Sequence, residues 1–168
     1  MAHLVLVAYA TMYGSTREVA EVVASTMRST GVDVDVREAG DVKDLGGYQA
    51  VVLGAPLITH KLHKDARRFL SRNEKRLEGL PVALFALGPC KEPHDDAEWM
   101  DCRGQLDTAL ADVAWLRPVS AKLFGGRFDP ALLKFPLNKM AGSEPASDAR
   151  DWDAIEAWAA ELPALLGL

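Results

Sequence analysis

Residues 9–20 read YATMYGSTREVA: an apolar tail, a small polar turn holding Thr11, Gly14, Ser15 and Thr16, and the opening of an amphipathic helix. These residue types at a strand-to-helix junction suit the capture of an anion. The free N–H groups and positive dipole end of a helix favour negative charge. Gly14 lets the backbone approach closely, and the hydroxyls of Thr11, Ser15 and Thr16 add donors that can surround a phosphate without any formal positive charge. No lysine follows Gly14, so the turn is not the Gly-Lys-Ser/Thr end of a nucleoside triphosphate loop, and no GxGxxG dinucleotide fingerprint is present. Ser15 and Glu18 also have the spacing of a capping box. That structural role accounts for Ser15 but not for the company of Thr11, Gly14 and Thr16.

Other chemistry is sparser. His60, His63, Cys90 and His94 have no zinc-ligand spacing, so no metal site is expected. Ser15 lacks the GxSxG context of a nucleophile elbow. The paired acids and late lysine of a phosphoryl receiver are missing as well. Cys90 and Cys102 are too few for a disulfide framework and read as ordinary thiols.

The elements that would position the turn follow from hydrophobic patterning. Residues 3–9, 50–55 and 82–87 are nearly continuous apolar runs, the mark of strands covered on both faces, whereas 32–36 and 119–124 alternate and look half exposed. Helical periodicity covers 15–30, 63–77, 99–116 and 151–166, with a weak element at 41–45. Strands alternating with helices imply a parallel sheet with right-handed crossovers. Placing the half-exposed strands at the edges predicts a doubly wound α/β sheet of five parallel strands in the order 2-1-3-4-5. Residues 125–149 form an insertion after the fifth strand. A short helix is expected near 130–134, stopped by Pro136 and followed by a Gly/Ser/Pro turn, with its apolar residues covering sheet or helix surface. An exposed partner-binding or membrane-touching face is the alternative.

Length and charge narrow the function classes. The 168 residues suit a single domain over 1–168. A net charge of -5 argues against nonspecific nucleic-acid binding. No segment approaches the roughly 18 consecutive apolar residues of a membrane span. The apolar run 4–10 has no basic lead, so a strand explains it better than a signal peptide and a cytoplasmic protein is expected. Between residues 61 and 78 seven basic residues face three acidic ones, while 92–112 carries seven acids against Arg103. The basic stretch reads as a solvated helix face or as a dock for an anionic partner or membrane surface.

In a sheet of this order, ligands bind beyond the carboxyl ends of the strands where the winding reverses. Three loops converge there, 10–16, 56–62 and 88–96. The first, T-M-Y-G-S-T, resembles the flavodoxin phosphate loop, written S/T-x-T-G-x-T, which holds the phosphate of FMN. Thr11, Gly14 and Thr16 match, and Tyr13 stands where the pattern has Thr. L-G-A-P after the third strand, H-K-L-H-K and a later R-L, K-M-A-G closing the insertion, and D-W before the last helix are more similar to the flavodoxin-type protoporphyrinogen oxidases. Those enzymes use FMN to oxidise protoporphyrinogen IX and pass electrons to a quinone.

The resemblance implies FMN as cofactor, held at its phosphate by Thr11, Met12, Tyr13, Gly14, Ser15 and Thr16. Pro56, Leu57, Ile58, Thr59, His60 and Lys61 would face one side of the flavin ring, and Leu87, Gly88, Pro89 and Cys90 the other. Neither ring loop contains an aromatic residue, unlike ordinary flavodoxins, which leaves the ring open to a substrate. His60 and Lys61 are the catalytic candidates, able to stabilise the reduced anion or orient a substrate carboxylate, or else simply exposed loop residues. Three functions therefore compete: an FMN-dependent oxidoreductase with a quinone or other acceptor, an electron carrier serving a redox protein, and a cofactor-free interaction module. Peripheral membrane contact through the insertion accompanies the first.

Overall fold

The computed structural model describes residues 4–142 and 144–168. His3, expected to open the first strand, and Ser143 of the expected turn lie outside the described residues. In chain order, β1 (Leu4–Tyr9) leads into α1 (Ser15–Ser29), followed by β2 (Asp33–Glu38), β3 (Ala50–Ile58) and the two-residue β4 (Lys61–Leu62). Helices α2 (Lys64–Arg72) and α3 (Glu74–Leu77) precede β5 (Val82–Leu87), α4 (Asp96–Ala111) and β6 (Ser120–Phe124). Then come β7 (Arg127–Phe128), α5 (Leu137–Ala141), β8 (Ser147–Asp148) and α6 (Trp152–Leu165).

The long strands lie parallel in the order β2-β1-β3-β5-β6, the doubly wound arrangement expected once the short β4 is set aside. Apolar continuity explains the order. Strands β1, β3 and β5 are buried along most of their length, whereas β2 and β6 are partly exposed and take the edges. On one face Val5, Val7, Val52 and Phe85 pack against Val19 and Met27 of α1 and Ile155 and Trp158 of α6. On the other, Leu6, Val51, Leu53 and Leu84 meet Phe69 and Leu70 of α2 and Leu106 of α4. Each fully buried side chain of this size contributes about 1.5–3 kcal/mol. Gly54 sits opposite Phe85, and a Cβ there would lie 2.0 Å from the Phe85 ring. The bare Gly54 backbone leaves room for that ring, which also meets Trp158 edge-on at 5.9 Å.

Several local expectations are corrected. The helix expected over 63–77 breaks at Asn73, whose Nδ2 donates to Phe69 O at 2.8 Å and gives the backbone an alternative to the helical ladder. The helix expected from 99 begins at Asp96, because the Asp95 carboxylate accepts from Ala97 N and Glu98 N, and it ends at Ala111 rather than 116. The weak element at 41–45 is a 3-10 turn at Ala39–Asp41.

The insertion differs most. A 3-10 turn at Pro130–Leu132 is capped by Asp129, and Pro136 immediately precedes α5 instead of stopping a helix. Both faces of the sheet are already covered by helices, so most of the insertion's apolar residues find no surface to cover, and of the large ones only Phe128 and Leu133 are half-buried. Phe135 and Met140 are 73% and 77% exposed, with Leu132 and Leu137 also exposed. Among the described residues, no helix is long and apolar enough to cross a membrane.

Candidate functional site

The parallel register brings the carboxyl ends of β1, β3 and β5 to one edge, since Tyr9 pairs with Gly54 and Gly54 with Phe85. The three loops expected to converge therefore leave the sheet together. In the first, the chain turns out of β1 after Ala10 N donates to Gly54 O at 2.9 Å. Gly14 takes φ 91°, a left-handed conformation that a β-branched residue strongly resists, and its N–H donates to Thr11 Oγ1 at 2.9 Å. The first intrahelical bond runs from Glu18 N to Gly14 O at 3.1 Å. The amides of Ser15, Thr16 and Arg17 precede it and carry the helix's positive end. Thr16 is fully buried, and its Oγ1 has no hydrogen-bond partner. A buried hydroxyl in that condition costs about 1–3 kcal/mol, and a phosphate oxygen accepting from it removes the cost. Met12 is exposed, while Tyr13 and Ser15 are half-buried. The capping-box expectation fails. Gly14 is the N-cap with no side-chain cap bond, and the Glu18 carboxylate turns elsewhere.

The second loop is a hairpin rather than an open loop. Strand β3 runs on through Pro56, and Leu57 pairs with Leu62 and Ile58 with Lys61. Thr59 and His60 form the two-residue tip at φ 50° and 66°. Both signs match a type I′ turn, usually built from Asn and Gly, so holding Thr and His there stores about 1–3 kcal/mol per residue. The tip is exposed, and His60 N donates to Gln105 Oε1 of α4 at 3.4 Å. His63 is drawn away from this group: it is buried, accepts from Asp65 N at Nδ1, and burial lowers its pKa.

Leu87 ends β5 in the core, and Gly88, Pro89 and Cys90 form the third loop. Cys90 Sγ donates to Gly88 O at 3.1 Å, and burial pushes the thiol up to about 11, which suits an unreactive thiol. His94 stacks on Trp99 with centroids 5.7 Å apart. His60, His63, Cys90 and His94 thus have separate tasks, and among the described residues no cluster of three or more His, Cys, Asp or Glu could hold a metal. Beside this loop a cleft of about 890 Å³ opens between residues 90–98 and Phe128, Glu144, Pro145 and Ser147 of the insertion. Its size suits a small-molecule ligand, yet its lining includes none of residues 11–16 or 56–61.

Two arginines that spacing did not single out border the candidate site. The insertion's ends lie side by side, Arg127 pairing with Asp148 in the β7–β8 ladder. A Cβ on Gly125 would fall 2.0 Å from Ala149 O, so only glycine permits that close crossing. Gly126 N donates to Pro89 O at 2.7 Å, and Ser147 Oγ donates to Cys90 O. From this base Arg127 Nη2 donates to Tyr13 O at 3.3 Å and Nη1 to Glu18 Oε1 at 3.3 Å. Arg150 Nη1 donates to Glu18 Oε2 at 2.8 Å, and its Nε and Nη2 bind the Asp148 carboxylate. Those bonds raise the Arg150 pKa and hold the Asp148 carboxyl below the usual range. The loop without a lysine is therefore bordered by guanidinium groups delivered from the far end of the chain.

Comparison with known proteins accords with this arrangement. A sequence profile described as flavodoxin domain matches residues 6–138. The protoporphyrinogen IX dehydrogenase (quinone) of Escherichia coli strain K12 is 24% identical, the alignment covering 94% of this chain and 93% of that protein. Among solved structures, a mutant of Pseudomonas aeruginosa flavodoxin superposes with TM-score 0.61 at 16% identity, covering 98% of this chain and 99% of that one. Bacillus cereus flavodoxin 1 gives TM-score 0.57 at 17% identity, covering 96% and 97%. With the profile spanning most of its length, the chain belongs to the flavodoxin domain family, a family of FMN-binding redox proteins.

Proposed function

We propose that the chain, acting as one domain over residues 1–168, is an FMN-dependent oxidoreductase. The observation that carries the reading is the buried, unpartnered Thr16 hydroxyl among the amides that open α1. Residues Thr11 to Thr16 would hold the phosphate, with the Pro56 to Lys61 hairpin against one side of the ring and Leu87 to Cys90 against the other. When bound, FMN supplies reversible redox chemistry. The chain fixes the phosphate, shields one edge of the ring with the strained hairpin, and offers His60 and Lys61 as cationic or hydrogen-bonding groups for developing negative charge or a substrate carboxylate.

Two features favour an enzyme over a shuttle: the ring loops carry no aromatic residue, and a cleft of about 890 Å³ adjoins the third loop. The name of the Escherichia coli relative supports a porphyrinogen-like donor and a quinone acceptor. The unpaired Cys90 and Cys102 support a cytoplasmic location, and the exposed Phe135 and Met140, beside Lys134 and Lys139, support peripheral membrane contact. An electron carrier serving a redox protein is the second reading, favoured by the likeness to flavodoxin structures.

Reconstitution with FMN should yield a yellow protein whose flavin bands bleach with a reduced porphyrinogen under anaerobic conditions and return with a quinone. Protein that stays colourless overturns both readings. Bound flavin that turns over no donor leaves the carrier. Gly14→Val should abolish FMN binding under either.

A further inference from the structure

We infer that the insertion sets cofactor selectivity by charge. Arg127 and Arg150 cancel the Glu18 carboxylate beside the phosphate loop, so that the loop prefers a flavin bearing a phosphate to one without it. The inference rests on the FMN reading above. Glu18 lies in the first turn of α1, on the same helix end as Thr16. A carboxylate there suits the helix dipole but would repel a dianion held at the same helix end.

Each of its oxygens is covered by a different guanidinium, Oε1 by Arg127 at 3.3 Å and Oε2 by Arg150 at 2.8 Å. Neither arginine is loosely held. Arg127 also donates to Tyr13 O. The Arg150 side chain is 4% exposed, bound to Asp148 and laid over the Trp152 ring at 4.7 Å. The unpartnered, fully buried Thr16 Oγ1 independently points to an accepting ligand in the same turn. Within this group of four, Arg127 and Arg150 balance Glu18 and Asp148, so losing Arg127 leaves the group with one net negative charge and Glu18 Oε1 without its cation. Both arginines also hold loop carbonyls, Arg127 that of Tyr13 and Arg150 Nη1 that of Ser15 at 3.4 Å, and they are positioning residues whose charge acts through Glu18.

The test is titration of the flavin-free full chain with FMN and with riboflavin, read by fluorescence quenching. Arg127→Ala should weaken FMN by about 10-fold or more while changing riboflavin by less than about 2-fold. Adding Glu18→Gln to that variant should restore most of the FMN affinity, which a merely structural contact would not do. Equal loss of both flavins, no loss, or no restoration overturns the inference. If Arg127→Ala does not fold by circular dichroism, Glu18→Gln alone decides: FMN bound at least as tightly as by wild type sustains it, and weaker FMN overturns it. A wild-type chain that binds riboflavin as tightly as FMN overturns this inference and the phosphate role of residues 11–16, while flavin binding itself stands. One that binds neither overturns the FMN reading and this inference with it.

Discussion

Thr16→Val should raise the stability of the flavin-free fold and lower its affinity for FMN, two effects of opposite sign from one atom. The Thr16 hydroxyl is fully buried without a partner, a condition that costs about 1–3 kcal/mol. Valine keeps the branched shape and nearly the same helix propensity, so the orphaned group leaves without opening a cavity. The flavin-free variant should therefore gain about 1–3 kcal/mol, and each kcal/mol moves the midpoint of a chain this size by about 2–4 °C. Against FMN the variant loses a hydrogen bond to a charged group, about 1.5–3 kcal/mol, or about 10- to 100-fold in Kd. Urea unfolding without flavin and direct titration with FMN measure the two halves separately. A flavin-free variant that unfolds earlier than wild type would refute the reasoning, because the hydroxyl must then have a partner within the fold. Unchanged FMN affinity would remove Thr16 from the phosphate loop.

Two further outcomes can be checked with simple means. The Cys90 thiol, raised from an ordinary 9.0 to about 11 by burial, stays protonated in the fold after the unfolded thiol ionises. Its contribution to stability is complete below about pH 9 and is lost as the pH rises to about 11, and alkylation at pH 8 should be much slower in the native protein than in denaturant; equal rates contradict the burial. The paired change Phe135→Ser and Met140→Ser should reduce sedimentation with anionic lipid vesicles, since both side chains are largely exposed. Undiminished sedimentation places any membrane contact elsewhere.

What could be read in advance was what depends on neighbours in sequence. Continuous apolar runs identify β1, β3 and β5, and the alternation in residues 32–36 marks an edge strand, because burial repeats at the period of the element. The turn proposed to bind an anion stands out for the same reason: Thr11, Gly14 and Thr16 lie within one loop. The hairpin tip was not, because Thr59 and His60 lack the Asn-Gly signature of their turn type. The early start of α4 was hidden because Asp95 caps it among acids, before apolar periodicity begins at Trp99. Glu18 was misassigned to Ser15 since its true partners, Arg127 and Arg150, lie 109 and 132 residues away. The exposed insertion was misread because hydrophobic composition alone does not reveal that both faces of a sheet are already occupied.

The crossing of Gly125 beneath Ala149, followed by the β7–β8 pairing, means that the chain departs and returns at a single doorway. Everything between residues 129 and 146 is hung from that doorway like a removable turret. Doubling the length of a loop closed at such a doorway adds only about 0.6 kcal/mol of closure entropy. The scaffold can thus exchange what it shows to the outside world while the sheet beneath, and the arginines bolted to the doorposts, remain undisturbed.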